Sequence, residues 1–223
     1  LIVVDTGTYW SVFGQAVILV LIQIGGMGVV TVAAAVTIVS GRKIGLMQRS
    51  TMQEAVAAPK MSGIVRLTGF IIRATILIEL SGAALLAPVF CRDFGPVRGL
   101  WMALFHSISA FCNAGIDLMG IRIPFSSLTL YAANPLVNLV IMALIIIGGI
   151  GFLTWEDIRS NQLHFGRYRM QSKVILTTTA ILILFPALYF FFGEFRQGSF
   201  GTRVLLSLFQ SVTPRTAGFN TAD

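Results

Sequence analysis

The feature that most limits the fold of this chain is a set of four charge-poor, apolar runs. They lie within residues 6–41, 67–90, 123–155 and 174–193. A membrane-spanning helix needs about 20 consecutive, mainly apolar residues, and each run can supply them. Only 11% of the 223 residues are charged, whereas soluble domains have about 25%. The sequence therefore predicts an all-α membrane protein.

The basic residues are distributed unevenly between the loops. Loops 41–66 and 156–173 together hold nine basic and three acidic residues, while the segments on the opposite side hold five of each. Because cytoplasmic loops carry an excess of Lys and Arg, we expect these two loops to be cytoplasmic in a multi-pass plasma-membrane protein. The net charge of +7 then reflects loop bias and contact with the lipid bilayer, not a nucleic-acid-binding surface.

Two further apolar segments are too short to cross a bilayer. Residues 99–112 and 204–213 lie on the outer side of this topology, and each leads into a glycine-bearing turn, CNAGI or RTAGF. Non-helical backbone at membrane depth is tolerated only where it is buried in protein or lines a water-filled path. We therefore expect two re-entrant pore half-helices, each followed by a segment that returns outward.

Short motifs occur twice along the chain. IGGMGVVT at 24–31 returns as IGGIGFLT at 147–154, and CNAG, ending at Gly115, is matched by RTAG, ending at Gly218. Internal duplication is a standard way to build a membrane pathway around a pseudo-axis. The sequence thus predicts repeated units of outer helix, pore half-helix, filter loop and inner helix.

The two glycine turns are candidates for an ion filter. A dehydrated alkali cation needs several oxygen ligands, which backbone carbonyls provide without a fixed charge. Glycine most easily adopts the angles that aim successive carbonyls at one axis, and the C-terminal end of a half-helix adds a negative dipole. The candidate filter residues are Cys112, Asn113, Ala114, Gly115, Ile116, Arg215, Thr216, Ala217, Gly218 and Phe219. The alternative is that each glycine only caps an interfacial helix.

Other polar residues have predicted roles around this filter. Glu79, in the second apolar run, is expected to brace a pore helix, with a part in a cation relay as the alternative. Asn138 is expected to support the filter from behind. Arg215 is expected to point behind the filter, toward a carboxylate or pore-helix carbonyls. His106 is expected to be a hydrogen-bonded structural residue, and the spacing of His and Cys indicates no metal site.

Five motifs resemble the Trk/Ktr/HKT superfamily of potassium transporters, and most closely its Ktr-type membrane subunit: VVDTGTYWSVFGQ, IQIGGMGVVT, FHSISAFCNAGI, IIIGGIGFLT and TPRTAGFNT. The resemblance implies a potassium-channel-like fold in which four units surround one pore, each with a filter glycine. Residues 1–40 would then hold the end of the first filter region and the inner helix of unit one. A complete second unit, 67–155, would lie between the cytoplasmic loops 41–66 and 156–173. Residues 174–223 would supply the outer helix, pore helix and filter of unit three.

The same resemblance implies potassium as the transported ion, with possible sodium dependence and no cofactor in this chain. It also implies a homodimer bound to a cytosolic nucleotide-binding regulatory subunit, and a parent polypeptide that extends beyond both ends of this sequence. The alternatives are a secondary transporter of another solute with broken membrane helices, a sodium-selective relative, and a purely structural membrane subunit. An enzyme is not expected, because the sequence has no GxSxG or HExxH motif.

Overall fold

The computed structural model describes residues 3–28, 32, 45–56, 63–162 and 164–222. This part of the chain is mainly helical and contains no strand, which confirms the predicted all-α class. The helices are α1 (Thr6–Tyr9), α2 (Val12–Met27), α3 (Leu46–Val56), α4 (Ile64–Phe94), α5 (Pro96–Phe111), α6 (Pro135–Gly149), α7 (Phe152–Asn161), α8 (Met170–Gly193) and α9 (Phe200–Val212). Short 3-10 helices lie at Met119–Ile121, Thr129–Tyr131 and Phe165–Arg167.

Among the described residues, two helices are long and apolar enough to cross a membrane by themselves. They are α4, with 31 residues, and α8, with 24, which makes them about 46 Å and 36 Å long at 1.5 Å per residue. A third candidate span consists of α6 and α7 together, which are bent by 98° where they meet. The first apolar run contributes α2, and most of residues 29–44 lie outside the described residues. These spans agree with the predicted multi-pass membrane protein.

The run 123–155, predicted as one span, is not one straight helix. It breaks at Gly151, whose left-handed φ of 83° cannot continue an α-helix. The indole of Trp155 donates a 2.9 Å hydrogen bond to the carbonyl of Ile147 across this break. Gly28 occupies the same position in the first copy of the IGGxG motif and ends α2 with a φ of 80°. In both copies of the motif, the last glycine therefore lies where a helix ends.

The half-helix α5 lies inside the fold, against α4, α6 and α2. Its apolar side chains Met102 and Phe105 are fully buried, and several of its polar side chains are buried beside them. In contrast, α4 and α8 expose large apolar side chains such as Leu77 and Phe185 on their outer faces, as expected where lipid surrounds a helix. The helix that is too short to span is thus enclosed by protein, and its C-terminal end delivers the first glycine turn into the interior.

Candidate ion-filter site

The segments 112–116 and 215–219, called here the filter segments, share an unusual backbone conformation. Asn113 and Gly115 have left-handed φ angles of 53° and 66°, and Thr216 and Gly218 have 71° and 81°. In each pair, one residue without positive φ stands between the two. In an extended strand, successive backbone carbonyl groups point in opposite directions. Positive φ at every second residue removes that alternation. Each filter segment can therefore present successive carbonyl oxygens toward one side.

The filter segments approach each other at their glycines. A Cβ atom at Gly115 would overlap the carbonyl oxygen of Ala217 and lie 2.7 Å from the Cα of Gly218. A Cβ atom at Gly218 would lie 3.2 Å from the Cα of Gly115. These neighbours are backbone atoms, which cannot turn aside as a flexible side chain can. At Gly115 and Gly218, the left-handed φ and the close approach of the two backbones both favour glycine. A helix cap requires only the left-handed φ.

The same pair of hydrogen bonds holds each filter segment to its half-helix. At the end of α5, the Ala114 N–H donates to the Ser109 carbonyl at 2.9 Å, and the Ser109 hydroxyl donates to the Ile116 carbonyl at 2.6 Å. At the end of α9, the Ala217 N–H donates to the carbonyl of Thr213 at 3.1 Å. The Thr213 hydroxyl donates to the carbonyl of Phe219. A hydroxyl near the end of each half-helix thus fixes the carbonyl that follows the filter glycine.

Glu79 is buried on α4, next to α5. Its backbone carbonyl accepts a 2.6 Å hydrogen bond from the Ser107 hydroxyl of α5. Its carboxylate accepts a hydrogen bond from the Gln23 side chain and lies 3.9 Å from the Sγ of Cys112. Glu79 therefore joins α2 and α4 to α5 and to the first filter segment.

Asn138 takes a different place from the one expected. Its amide nitrogen donates to the carbonyls of Tyr131, Ala132 and Asn134 at 2.7, 3.3 and 2.7 Å. These carbonyls belong to the turn that precedes α6, and no described hydrogen bond joins Asn138 to a filter segment. The physical reason is its position in the first turn of α6, where free carbonyls of the preceding chain lie within reach. Asn138 anchors the entry to α6.

In the described part of the chain, the side chain of Arg215 contacts a hydroxyl on α8 and not a carboxylate or a pore-helix carbonyl, the partners expected for it. Its guanidinium donates a 3.0 Å hydrogen bond to the hydroxyl of Thr179 on α8. No described carboxylate forms an ion pair with it. Since Arg215 directly precedes Thr216, this contact ties the second filter segment to α8.

His106 connects the second filter segment to the chain that follows the first one, through contacts that its sequence position does not reveal. Its Nδ1 lies 2.7 Å from the Met102 carbonyl, so the N–H of Leu118 can donate to the Nε2 of the neutral ring at 3.4 Å. The ring also stacks on Phe219, with 6.2 Å between the centroids. Burial raises the pKa of the nearby Asp117 above its ordinary value. His106 thus contacts the backbone at Leu118, two residues after the first filter segment, and the ring of Phe219 in the second.

Asp5 is a candidate that the sequence pattern alone does not identify. Its carboxylate accepts hydrogen bonds from the N–H groups of Gly7 and Thr8 at 2.9 and 3.1 Å, and from that of Phe125 at 2.9 Å. A Cβ atom at Gly120 would overlap the same carboxylate. The sequence Asp5-Thr6-Gly7 indicates a helix N-cap at Asp5. Nothing in the sequence indicates the hydrogen bond to a loop 120 residues away. Asp5 fastens the N-terminal segment to the loop that follows the first filter segment.

Together these features define a class of protein, a multi-pass membrane protein with short internal helices that end in matched glycine segments. A family model described as "TrkH: Cation transport protein" matches residues 1–223. The chain therefore belongs to the TrkH family of cation transport proteins, which confirms the resemblance found in its motifs.

The chain is similar to several curated relatives over nearly its whole length. The Ktr system potassium uptake protein B of Bacillus subtilis is 42% identical over 229 residues, covering 100% of this chain and 50% of the relative. The potassium/sodium uptake protein NtpJ of Enterococcus hirae is 36% identical, covering 98% of this chain and 48% of the relative. The Ktr system potassium uptake protein B of Vibrio alginolyticus is 32% identical, covering 99% and 49%. The chain spans about half the length of the curated relatives it matches.

Proposed function

We propose that this chain supplies two carbonyl-lined filter segments to a potassium uptake protein, in which the ion crosses the plasma membrane through a central pore. The observation that carries the proposal is the alternation of φ in both filter segments, positive at Asn113 and Gly115 and again at Thr216 and Gly218. Two segments that are far apart in sequence adopt one uncommon backbone pattern and meet at their glycines. A helix cap needs only one such residue.

Carbonyl oxygens suit potassium because they replace its hydration shell without binding it as tightly as a carboxylate would. The C-terminal ends of α5 and α9 lead directly into the filter segments, so their dipoles add negative potential there. In this proposal the residues from Cys112 to Ile116 and from Arg215 to Phe219 form two parts of the filter. Glu79 supports the first part, and the hydroxyls of Ser109 and Thr213 hold the carbonyls in register.

The choice between potassium and sodium is the finer part of the proposal. Two of the relatives described above are named for potassium uptake, and NtpJ is named for both potassium and sodium. We propose potassium as the preferred ion, with sodium as a competitor or a coupled ion. Relatives named as parts of a Ktr system support a further proposal, that the parent protein works together with a regulatory subunit. We also propose, from the family resemblance alone, that the parent protein is a homodimer and that this subunit is cytosolic and binds a nucleotide.

The decisive experiment measures rubidium uptake into proteoliposomes that hold the parent polypeptide, competed with potassium and then with sodium. Gly115→Asn is the test variant, because asparagine tolerates left-handed φ but its Cβ would overlap Ala217. Gly63→Asn is the matched control, since Gly63 has a left-handed φ of 84° and no atom lies within 4 Å of a Cβ built there. We expect Gly115→Asn to reduce the potassium-sensitive flux at least about tenfold, because the new side chain overpacks the filter backbone.

Each outcome separates the proposal from an alternative. Potassium block at lower concentration than sodium block supports the potassium filter, and equal block indicates a relaxed or sodium-type pore. Unchanged selective flux in Gly115→Asn would refute the filter assignment. Saturable uptake of an organic solute would favour the secondary transporter. Flux that requires the regulatory subunit would support the two-component system.

A further inference from the structure

An open groove with three arginines lies at the cytoplasmic end of α4, away from the filter segments. Its volume is 520 Å³, and Arg66, Arg73 and Arg159 all line it. The first two are seven residues apart on α4, so they lie on one face of this helix, about 10 Å apart along its axis. The third comes from α7, which reaches α4 because of the 98° bend after α6. Two elements distant in sequence thus converge on one basic groove.

The three guanidinium groups are available to a ligand. All three residues are exposed. Among the residues that the structure describes, none of their guanidinium groups has an ion pair or hydrogen-bond partner. Arg159 instead lies over the ring of Phe70, with 4.5 Å from its Cζ to the ring centroid. This contact fixes one arginine on the wall of the groove and leaves its N–H groups free to bind an anion.

The rest of the groove is shaped for a ligand with an apolar part. Gly69 lies between the two arginines of α4, and its missing side chain opens the floor, since nothing lies within 4 Å of a Cβ built there. Beyond Arg73, toward the middle of the span, the lining is apolar at Ala74 and, one turn after Arg73, at Leu77. Leu77 is 67% exposed. Positive charge at the membrane surface is therefore followed by apolar surface at greater depth.

We infer that this groove binds the phosphate headgroup of an anionic phospholipid, with an acyl chain along the apolar surface at Leu77. Arginine binds phosphate through paired N–H groups, and basic pockets between membrane helices on the cytoplasmic side suit anionic headgroups. A free phosphate anion would satisfy the arginines equally well. The apolar continuation of the groove favours a lipid, because a small anion makes no use of it. This inference does not depend on which ion the protein transports.

The test measures lipid binding to the purified parent polypeptide in detergent. Dioleoyl phosphatidylglycerol and dioleoyl phosphatidylcholine are titrated separately, and bound lipid is counted by native mass spectrometry. In a third arm, inorganic phosphate is titrated, and its binding is detected by the thermal stabilisation of the protein. The double variant Arg66→Gln/Arg73→Gln removes two of the charges, and Arg66→Lys/Arg73→Lys keeps them. The matched control Arg49→Gln/Arg167→Gln removes two exposed arginines from the same cytoplasmic side, outside the groove.

We expect phosphatidylglycerol to bind in preference to phosphatidylcholine, and the double glutamine variant to bind it about thirtyfold more weakly, as the loss of two arginines near an anionic headgroup predicts. The double lysine variant should keep most of the affinity, and the control should bind normally. Equal weakening in the control would overturn the inference, because general surface charge would then explain the binding. Equal binding of both lipids would also overturn it. Stabilisation by inorganic phosphate without a preference for phosphatidylglycerol would show a free-phosphate site in its place.

Discussion

The contact between Gly26 and Cys112 gives a sharp test of how the first filter segment is held. Gly26 lies on α2, in the first copy of the IGGxG motif. A Cβ atom there would overlap the Sγ of Cys112, lie 2.6 Å from its Cβ and 3.2 Å from its Cα. The glycine is thus needed because the side chain of a residue in the first filter segment occupies the space. We predict that Gly26→Ala destabilises the protein and that shortening residue 112 restores it.

The magnitude follows from two opposing effects. Forcing one extra methyl group into a packed site costs about 1–3 kcal/mol. Alanine in place of glycine inside a helix gains about 1 kcal/mol. Gly69→Ala on α4 serves as the matched control, because nothing lies within 4 Å of its built Cβ. Gly26→Ala and Gly69→Ala gain the same helix propensity. Their stabilities should therefore differ only by the cost of the overlap at Gly26, about 1–3 kcal/mol.

The rescue should be graded by how much of Cys112 is removed. Cys112→Ala takes away Sγ and leaves the Cβ at 2.6 Å, while Cys112→Gly removes both and leaves only the Cα at 3.2 Å. We therefore expect partial rescue of Gly26→Ala by Cys112→Ala and nearly full rescue by Cys112→Gly. The assay is the midpoint of thermal aggregation of the parent polypeptide in detergent without added phospholipid. A change of roughly 2 °C for each kcal/mol is expected for a large chain.

Three results would refute this reasoning. Gly26→Ala as stable as Gly69→Ala would show that the site accepts a methyl group. Equal destabilisation in Gly26→Ala with and without the Cys112 changes would show that some other atom opposes it. Additive effects in the double variants, where a coupling of about 0.5–3 kcal/mol is expected for residues in contact, would lead to the same conclusion.

Three further predictions follow from single contacts. Asp5→Ala leaves backbone N–H groups unpaired and should cost about 1–3 kcal/mol in thermal stability, and an unaffected midpoint would contradict its anchoring role. Arg215→Met and Thr179→Val each remove the same hydrogen bond, so the double variant should be no less stable than the worse single variant. Trp155→Phe removes the bond to Ile147 across the helix break and should broaden spin-label distances between α6 and α7; an unchanged distribution would show that the backbone alone sets the bend.

The sequence was sufficient for the features that depend on local chemistry. Hydropathy identified the spans that became α4 and α8, since about 20 apolar residues are a length requirement that needs no partner. The turns at Gly115 and Gly218 could also be predicted, because left-handed φ is a property of a residue and its immediate neighbours. The glycines around Gly151 allow a bend or close helix contact, but the run was still predicted as one span. The motif that contains Gly151 lies within an apolar run, and hydropathy does not register a change of helix direction.

Which side chains meet was decided only by the tertiary structure. Arg215 binds Thr179, 36 residues away, and Asp5 binds the loop at Phe125, 120 residues away. Asn138 could have served the filter or the turn before α6, and only the position of its helix chose the turn. Such contacts depend on how helices pack around α5, which no local pattern encodes. The sequence by itself determined a membrane protein with two glycine turns after short helices, and the packing of those helices brought the turns together.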